Sequence, residues 1–367
     1  MLSKLYCSDP AAQFNSYKDE ILEAISKVCQ KGSYILGNEV EAFEAEFAKY
    51  NQSKYCVGVG SGTDAIFLAL KSMNIGQGDE VITVSHTALA TVAAIVMTGA
   101  TPCLVDIEEK YYTIDPEKIE ASITNKTKAI IAVHLYGQPC DMDNILAIAK
   151  KYNLLVIEDC AQAHGAEYKQ KKVGTFGQVG CFSFYPTKNL GAIGDGGGII
   201  TNDSLIAENI RKMRQYGWDQ NRISQMTGVI SRLDELQAAI LRVKLRHLDF
   251  DNKKRFDIAN QYKDVLLNIN NLLLPEIRAN CDHVFHLYIV RSNNRNFYRN
   301  ILKQNNIEAG IHYEYPVHMH PGYADRIKIS TEGLCITEKV IKQIFTLPIY
   351  PEFCISKINF LREVDNV

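Results

Sequence analysis

No apolar run among the 367 residues reaches the roughly 18–20 needed to span a bilayer, and the formal net charge is only −2. The first absence argues against a membrane-spanning protein. The second argues against nucleic acid or an anionic membrane as a partner, because neither attracts a near-neutral chain. The opening residues lead into Asp9-Pro10 without the apolar stretch and small-residue cleavage site of a secretory signal, so a cytoplasmic protein is expected. There are ten cysteines but no CxxC pair and no clustered Cys/His spacing. Reduced, mostly buried thiols are therefore expected, with no metal site, and Cys160 and Cys181 are read as small packing residues. No Gly-Lys-Ser/Thr follows a glycine turn, and no dinucleotide fingerprint leads to a ribose-binding acid, which speaks against a Walker A loop and a nucleotide-sugar oxidoreductase. Low-complexity segments and internal repeats are absent as well.

What is present is an ordinary globular balance, 46% hydrophobic and 22% charged, in a chain long enough for two domains. Short apolar, β-branched runs alternate with helical patterns. Strands are expected over 54–59, 80–84, 101–107, 128–134, 154–158, 179–184 and 198–201, which reads as βαβ units: an α/β fold with a mostly parallel sheet between helices. Asp141 caps a helix that Asn153 ends, so Asp159 is expected at the carboxyl end of a parallel strand, where such sheets bind ligands. Helices are expected over 233–243 and about 251–267, then a strand over 284–291 and loops rich in His, Tyr and Pro. A large domain, 1–245, and a smaller C-terminal α+β domain, 246–367, are expected.

Three segments carry chemistry. In the first, Lys188 sits among small residues after an apolar strand, ahead of Gly194 and Gly196–Gly198. A lysine that forms a Schiff base must be reachable and partly desolvated, so that its amine is nucleophilic. By itself the segment equally describes a surface lysine in a glycine-rich turn. In the second, Asp159, Gln162 and His164 follow a strand. Pyridoxal phosphate (PLP) needs a carboxylate at its ring nitrogen; Gln162 would reach the ring's phenolic oxygen, and His164 would support Asp159 or pack beside the ring. The plain alternative is an aspartate that caps a helix. In the third, Gly58, Gly60 and Gly62 lead from a strand into a helix, a phosphate site made of backbone N–H groups with hydroxyls from Thr63 and Ser183. Alone it decides little.

In chain order, phosphate loop, strand-end Asp159 and then Lys188, the three are the parts of a fold-type I PLP enzyme, and the chain resembles the DegT/DnrJ/StrS family of nucleotide-sugar aminotransferases. The resemblance runs through 37–50 (GNEVEAFEAEFAKY), 59–70 (VGSGTDAIFLAL), 78–84, 134–141 (HLYGQPCD), 158–165, 182–201, 231–245 (SRLDELQAAILRVKL), 286–288, 312–316 and 347–352 (LPIYPE). It implies pyridoxal 5'-phosphate as cofactor, Lys188 as the Schiff-base lysine, Asp159 as the pyridinium partner, Gln162 at the ring oxygen, and Gly62, Thr63 and Ser183 at the phosphate. It also implies a homodimer with shared active sites, L-glutamate as amino donor and a nucleotide-linked ketosugar as acceptor. Residues 85–95, 160–166 and 231–245 are most like the branch that aminates C3 of dTDP-linked 3-keto-6-deoxyhexoses, with C4 amination the rival. Two positions depart from the family pattern. Ala88 stands where an aromatic residue often covers the ring, leaving His86 as a candidate for that face. Ile230 stands where many members carry an Asn that reaches the partner's phosphate. Tyr185, His312, Tyr313, His318 and His320 are candidates to meet the sugar or nucleotide. Related dehydratases have a His at the lysine position, which Lys188 argues against; a sensory or scaffold protein would need none of the three cofactor segments.

Overall fold

Valine- and isoleucine-rich runs bounded by glycine turns form the strands of the chain, whose computed structural model describes residues 4–267 and 269–363. The outer ends of both expected domains, 1–3 and 364–367, lie outside the described residues. The large domain supplies β1 (Tyr55–Val59), β2 (Glu80–Val84), β3 (Thr101–Val105), β4 (Thr127–Val133), β5 (Leu155–Asp159), β6 (Val179–Ser183) and β7 (Gly197–Thr201). Further on come β8 (Tyr288–Arg291), β9 (Lys328–Ile329) and β10 (Ile344–Leu347). The main sheet runs β1-β7-β6-β5-β4-β2-β3-β9. β7 is antiparallel to both neighbours and every other pairing in the sheet is parallel.

Alternation along the strands feeds two cores, as the pleat requires. Cys181 and Ile199 face one, with the Gly62–Ser72 helix; Phe182 and Ile200 face the other, with the Asn38–Tyr50 and Glu235–Leu245 helices. In the second core Phe43, Phe47, Phe182 and Phe184 are fully buried. Phe47 meets Phe182 and Phe184 edge-on at 5.0 and 5.4 Å, the geometry aromatic quadrupoles favour. A third core gathers Ile258, Tyr262, Phe285, Tyr288, Phe345 and their neighbours around the β8–β10 pair, and Leu5 packs onto it.

Differences from the expected elements have local causes. The run over 101–107 stops at Val105 because the Asp106 carboxylate turns to accept N–H bonds from Ile107, Ile336 and Thr337. The run over 284–291 is extended only from Tyr288, since Phe285 has φ 43 and Val284 N donates to Gly137 O instead of a strand partner. The expected helices appear as Glu235–Leu245 and Leu248–Leu266. The short β9, from the C-terminal region, extends the edge of the large sheet, which periodicity over two residues does not announce.

The Asn38–Tyr50 helix begins after Gly37, which has no side chain to cap it. Glu235, buried on another helix, does so: its Oε1 accepts from Gly37 N and Val40 N at 2.8 Å each and its Oε2 from Glu39 N at 3.0 Å. Glu235→Ala leaves three helix-end donors without this acceptor and is expected to lower unfolding free energy by roughly 2–3 kcal/mol, with Glu235→Gln intermediate. Urea denaturation of the three proteins measures it; equal midpoints would show that other acceptors replace the carboxylate.

Candidate active site

The carboxyl ends of β1, β4, β5 and β6 open onto one cavity of about 250 Å³. After β1 the chain turns through Gly60 and Ser61 into a helix. Ser61 Oγ accepts from Asp64 N, and Ser231 holds the turn from outside, its Oγ accepting from Gly60 N at 2.9 Å and donating to Asp64 Oδ2 at 2.8 Å. Gly62, at the first helical position, lies hard against the end of β6: a Cβ there would sit 2.7 Å from Ser183 Cβ. Only glycine lets the helix come this close. The first-turn N–H groups and the positive end of the helix dipole therefore face the same space as the Ser183 hydroxyl, the makings of an anion cradle.

Asp159, the last residue of β5, is 5% exposed and lines the cavity. Its Oδ2 accepts from Thr91 Oγ1 at 2.7 Å and its Oδ1 from Ala161 N at 3.1 Å. A carboxylate offers about four acceptor sites, so capacity remains for a donor in the cavity. Behind it, His134 Nδ1 accepts from Cys140 N, which leaves Nε2–H to donate to Glu158 Oε2 at 3.1 Å. His134, Glu158 and Cys160 lie close enough to suggest a metal site. Glu158 is instead saturated by N–H donors from Gly174, Phe176 and Gly177 together with His134.

Lys188 lies in the turn after β6. Desolvation pushes its amine down to about 8, with the Asp159 carboxylate pulling the other way. The residues that follow are tied down from several directions. Asn189 Nδ2 donates to Asn252 Oδ1 and Val284 O, and its Oδ1 meets His286 Nδ1 at 3.1 Å. The buried Lys244 donates to Gly191 O at 2.7 Å. These contacts fix the turn that carries Lys188.

Gly62, Thr63, Asp159, Gln162, Ser183, Tyr185 and Lys188 all line this one cavity. His86 and His164 do not. His86 is buried behind it, with Nε2 at 2.7 Å from Tyr136 Oη, and burial drives its pKa to about 4, so it is a neutral imidazole. Ala88 lines the cavity wall itself. His164 packs beside Phe182 and Phe184 with its pKa pushed down to about 3, by burial first and by the Lys188 charge second. His312 and His318 also stand away from the wall. His312 Nδ1 meets Thr346 Oγ1, and His318 Nδ1 meets Ser85 Oγ, at 2.7 Å each. His320 Nε2 reaches Tyr315 O. Tyr313 touches the site through Gln162, whose Nε2 donates to its Oη at 2.9 Å. Ile230 is 52% exposed. Sequence reasoning missed Thr91 and Tyr136: the only signal for Thr91 is a hydroxyl in the first turn of a mostly apolar helix, and Tyr136 carries none.

The residues fit pyridoxal phosphate. The cradle that a single Cβ would fill suits a phosphate, Asp159 keeps acceptor capacity for a ring N–H, and the Lys188 amine is depressed toward neutrality.

The model of the DegT/DnrJ/EryC1/StrS aminotransferase family matches residues 15–361. The chain is 47% identical over 350 residues, covering 95% of each, to dTDP-3-amino-3,6-dideoxy-alpha-D-galactopyranose transaminase of Aneurinibacillus thermoaerophilus. It is 42% identical over 360 residues, 98% of this chain and 94% of the relative, to dTDP-3-amino-3,4,6-trideoxy-alpha-D-glucose transaminase of Streptomyces venezuelae. Among solved structures it is similar to S. venezuelae DesV in complex with a ketimine intermediate, with TM-score 0.95, 41% identity and coverage of 98% and 97%.

A lysine whose pKa is held down to about 8 in the folded chain destabilises the fold as long as it carries its charge. The cost is fully present below pH 8, fades as pH rises from 8 toward the ordinary lysine value of 10.5, and is gone above it. Lys188→Met in the cofactor-free protein is thus expected to unfold at higher denaturant than wild type at pH 7, with the gap closing by pH 10.5. A gap that is absent or independent of pH would show that the amine is not desolvated.

Proposed function

Because the chain belongs to the DegT/DnrJ/EryC1/StrS aminotransferase family, we propose that it transfers the amino group of L-glutamate to C3 of a dTDP-linked 3-keto-6-deoxyhexose, with pyridoxal phosphate held at Lys188. That it is an aminotransferase follows from the family. The single observation that carries the site reading is the meeting, in one cavity, of the Lys188 amine, the Asp159 carboxylate and the glycine-tight helix start at Gly62. The C3 and dTDP parts are supported by the relatives, both named as transaminases of dTDP-3-amino sugars.

Pyridoxal phosphate supplies an electron sink when bound. The chain's residues do the rest. Gly62 N–H, Thr63 and Ser183 Oγ hold the phosphate. Asp159 keeps a proton on the ring nitrogen, and the Thr91 hydroxyl holds that carboxylate in place. Gln162 donates an N–H to the ring oxygen. Lys188, with its pKa near 8, accepts a proton from a substrate carbon and returns it elsewhere without leaving the physiological range. Tyr185, at the mouth and 52% exposed, meets the sugar.

The active form is a homodimer with shared sites. Tyr185, Ile193 and Ile230 are exposed in the segments that flank Lys188 and Ser231, an apolar surface suited to a second chain. The two domains divide at 245/246, between the Glu235–Leu245 and Leu248–Leu266 helices. No described helix is long and apolar enough to cross a membrane, and the enzyme works in the cytoplasm.

The purified protein is expected to be yellow, and borohydride should fix the cofactor to Lys188; a label on another lysine would overturn the site. With glutamate and matched 3-keto and 4-keto dTDP-sugars, NMR should show the amine only at C3. Conversion of the 4-keto sugar alone would overturn the substrate while leaving the transaminase intact. Asp159→Asn should keep most cofactor affinity and lose at least tenfold in kcat, since an amide cannot hold the ring nitrogen protonated; equal turnover would leave Asp159 a structural residue.

A further inference from the structure

Gln162 holds its amide in a clamp. Its Oε1 accepts from Tyr136 N at 2.7 Å, and its Nε2 donates to Tyr313 Oη at 2.9 Å. A flipped amide would set its NH₂ against the Tyr136 N–H, so the backbone donor decides which end is which. A primary amide has two N–H bonds. Tyr313 takes one, and the other remains at a residue that lines the cavity. The Tyr136 donor is itself set by an uncommon backbone, φ 62, in the turn after β4. That conformation also sends the Tyr136 phenol to His312 O. Residues 312 and 313 of the C-terminal region are therefore pinned to the large domain at adjacent points, one of which is the amide facing the cofactor space.

We propose that Tyr313 is a positioning residue that acts through Gln162, so that the strength of the Gln162 N–H contact to the cofactor's ring oxygen depends on the C-terminal loop being seated. The inference rests on the PLP reading above. The Tyr313 phenol is held protonated by burial, its pKa raised to about 12, so it remains neutral through the working range.

The consequence is measurable at the Lys188 nitrogen. An N–H at the ring oxygen stabilises negative charge there, which makes the neighbouring proton on the Lys188 nitrogen easier to lose. Without Tyr313 the Gln162 NH₂ loses one of its two anchors, its donation weakens, and that proton is held more tightly. The titratable groups that face Lys188 are Asp159, His164, His286 and His312, and Tyr313→Phe removes none of them.

The test is a pH titration of the visible absorbance of the loaded enzyme. Tyr313→Phe should move the midpoint up by roughly half to one pH unit, and Gln162→Leu should move it further. In the Gln162→Leu background Tyr313→Phe should add nothing, because its route is gone. An unchanged midpoint in Tyr313→Phe, or a full additional shift in the double variant, overturns the inference while the PLP reading stands. A wild-type protein that forms no chromophore with added pyridoxal phosphate overturns both.

Discussion

Desolvation of a single amine is the constraint around which the rest of the candidate site is arranged. An amine loses its proton more readily near neutral pH when protein replaces water around it, yet it must still meet a ligand. The chain meets both demands by building the Lys188 turn outward from the end of β6 and anchoring the residues behind it rather than Lys188 itself. Asn189 and Gly191 are bonded to Asn252, Val284 and Lys244, which belong to later helices and to the segment before β8. Lys244 is in turn a buried amine, its pKa lowered to about 8 by desolvation against the opposing charges of Asp251 and Glu352. One desolvated lysine thus braces the loop that carries another.

The parts of the site that were legible in the sequence are those that depend on backbone geometry. Asp159 at a strand end and Gly62 at a helix start follow from the order of strand, turn and helix, whereas the Lys188 segment is distinctive only together with them. Each states a local requirement that only a few residue types satisfy. The histidines were harder to place because an imidazole serves equally as ligand contact, core filler or hydrogen-bond bridge. His86 and His164 became neutral, buried rings behind the cavity. His312 and His318 became bridges to Thr346 and Ser85. The bond between Gln162 and Tyr313 joins residues 151 positions apart and has no periodic signature. The same holds for the capping of Gly37 by Glu235.

The fold was legible to a similar depth. Apolar, β-branched runs with glycine turns locate the strands of the main sheet within a residue or two. The short β9 escapes because two paired residues leave no pattern. The order of the strands also comes from pairing rather than from chain order: β7 separates β1 from β6, which brings the glycine turn after β1 beside Ser183.

Leu5 pairs with Ile307 and packs onto the third core, while β9 pairs with β3 and its Lys328 reaches Glu80 on β2. Both closures join residues of the first third of the sequence to residues of the last. During synthesis the first residues emerge long before their partners exist, and the edge of β3 stays open until residue 329 has left the ribosome. The large sheet can collapse early around its own local units, but its exposed edge waits, and an open edge is a template for pairing with another chain. Pairing of β9 with β3, rather than formation of the first core, is therefore the step that covers this edge of the large sheet.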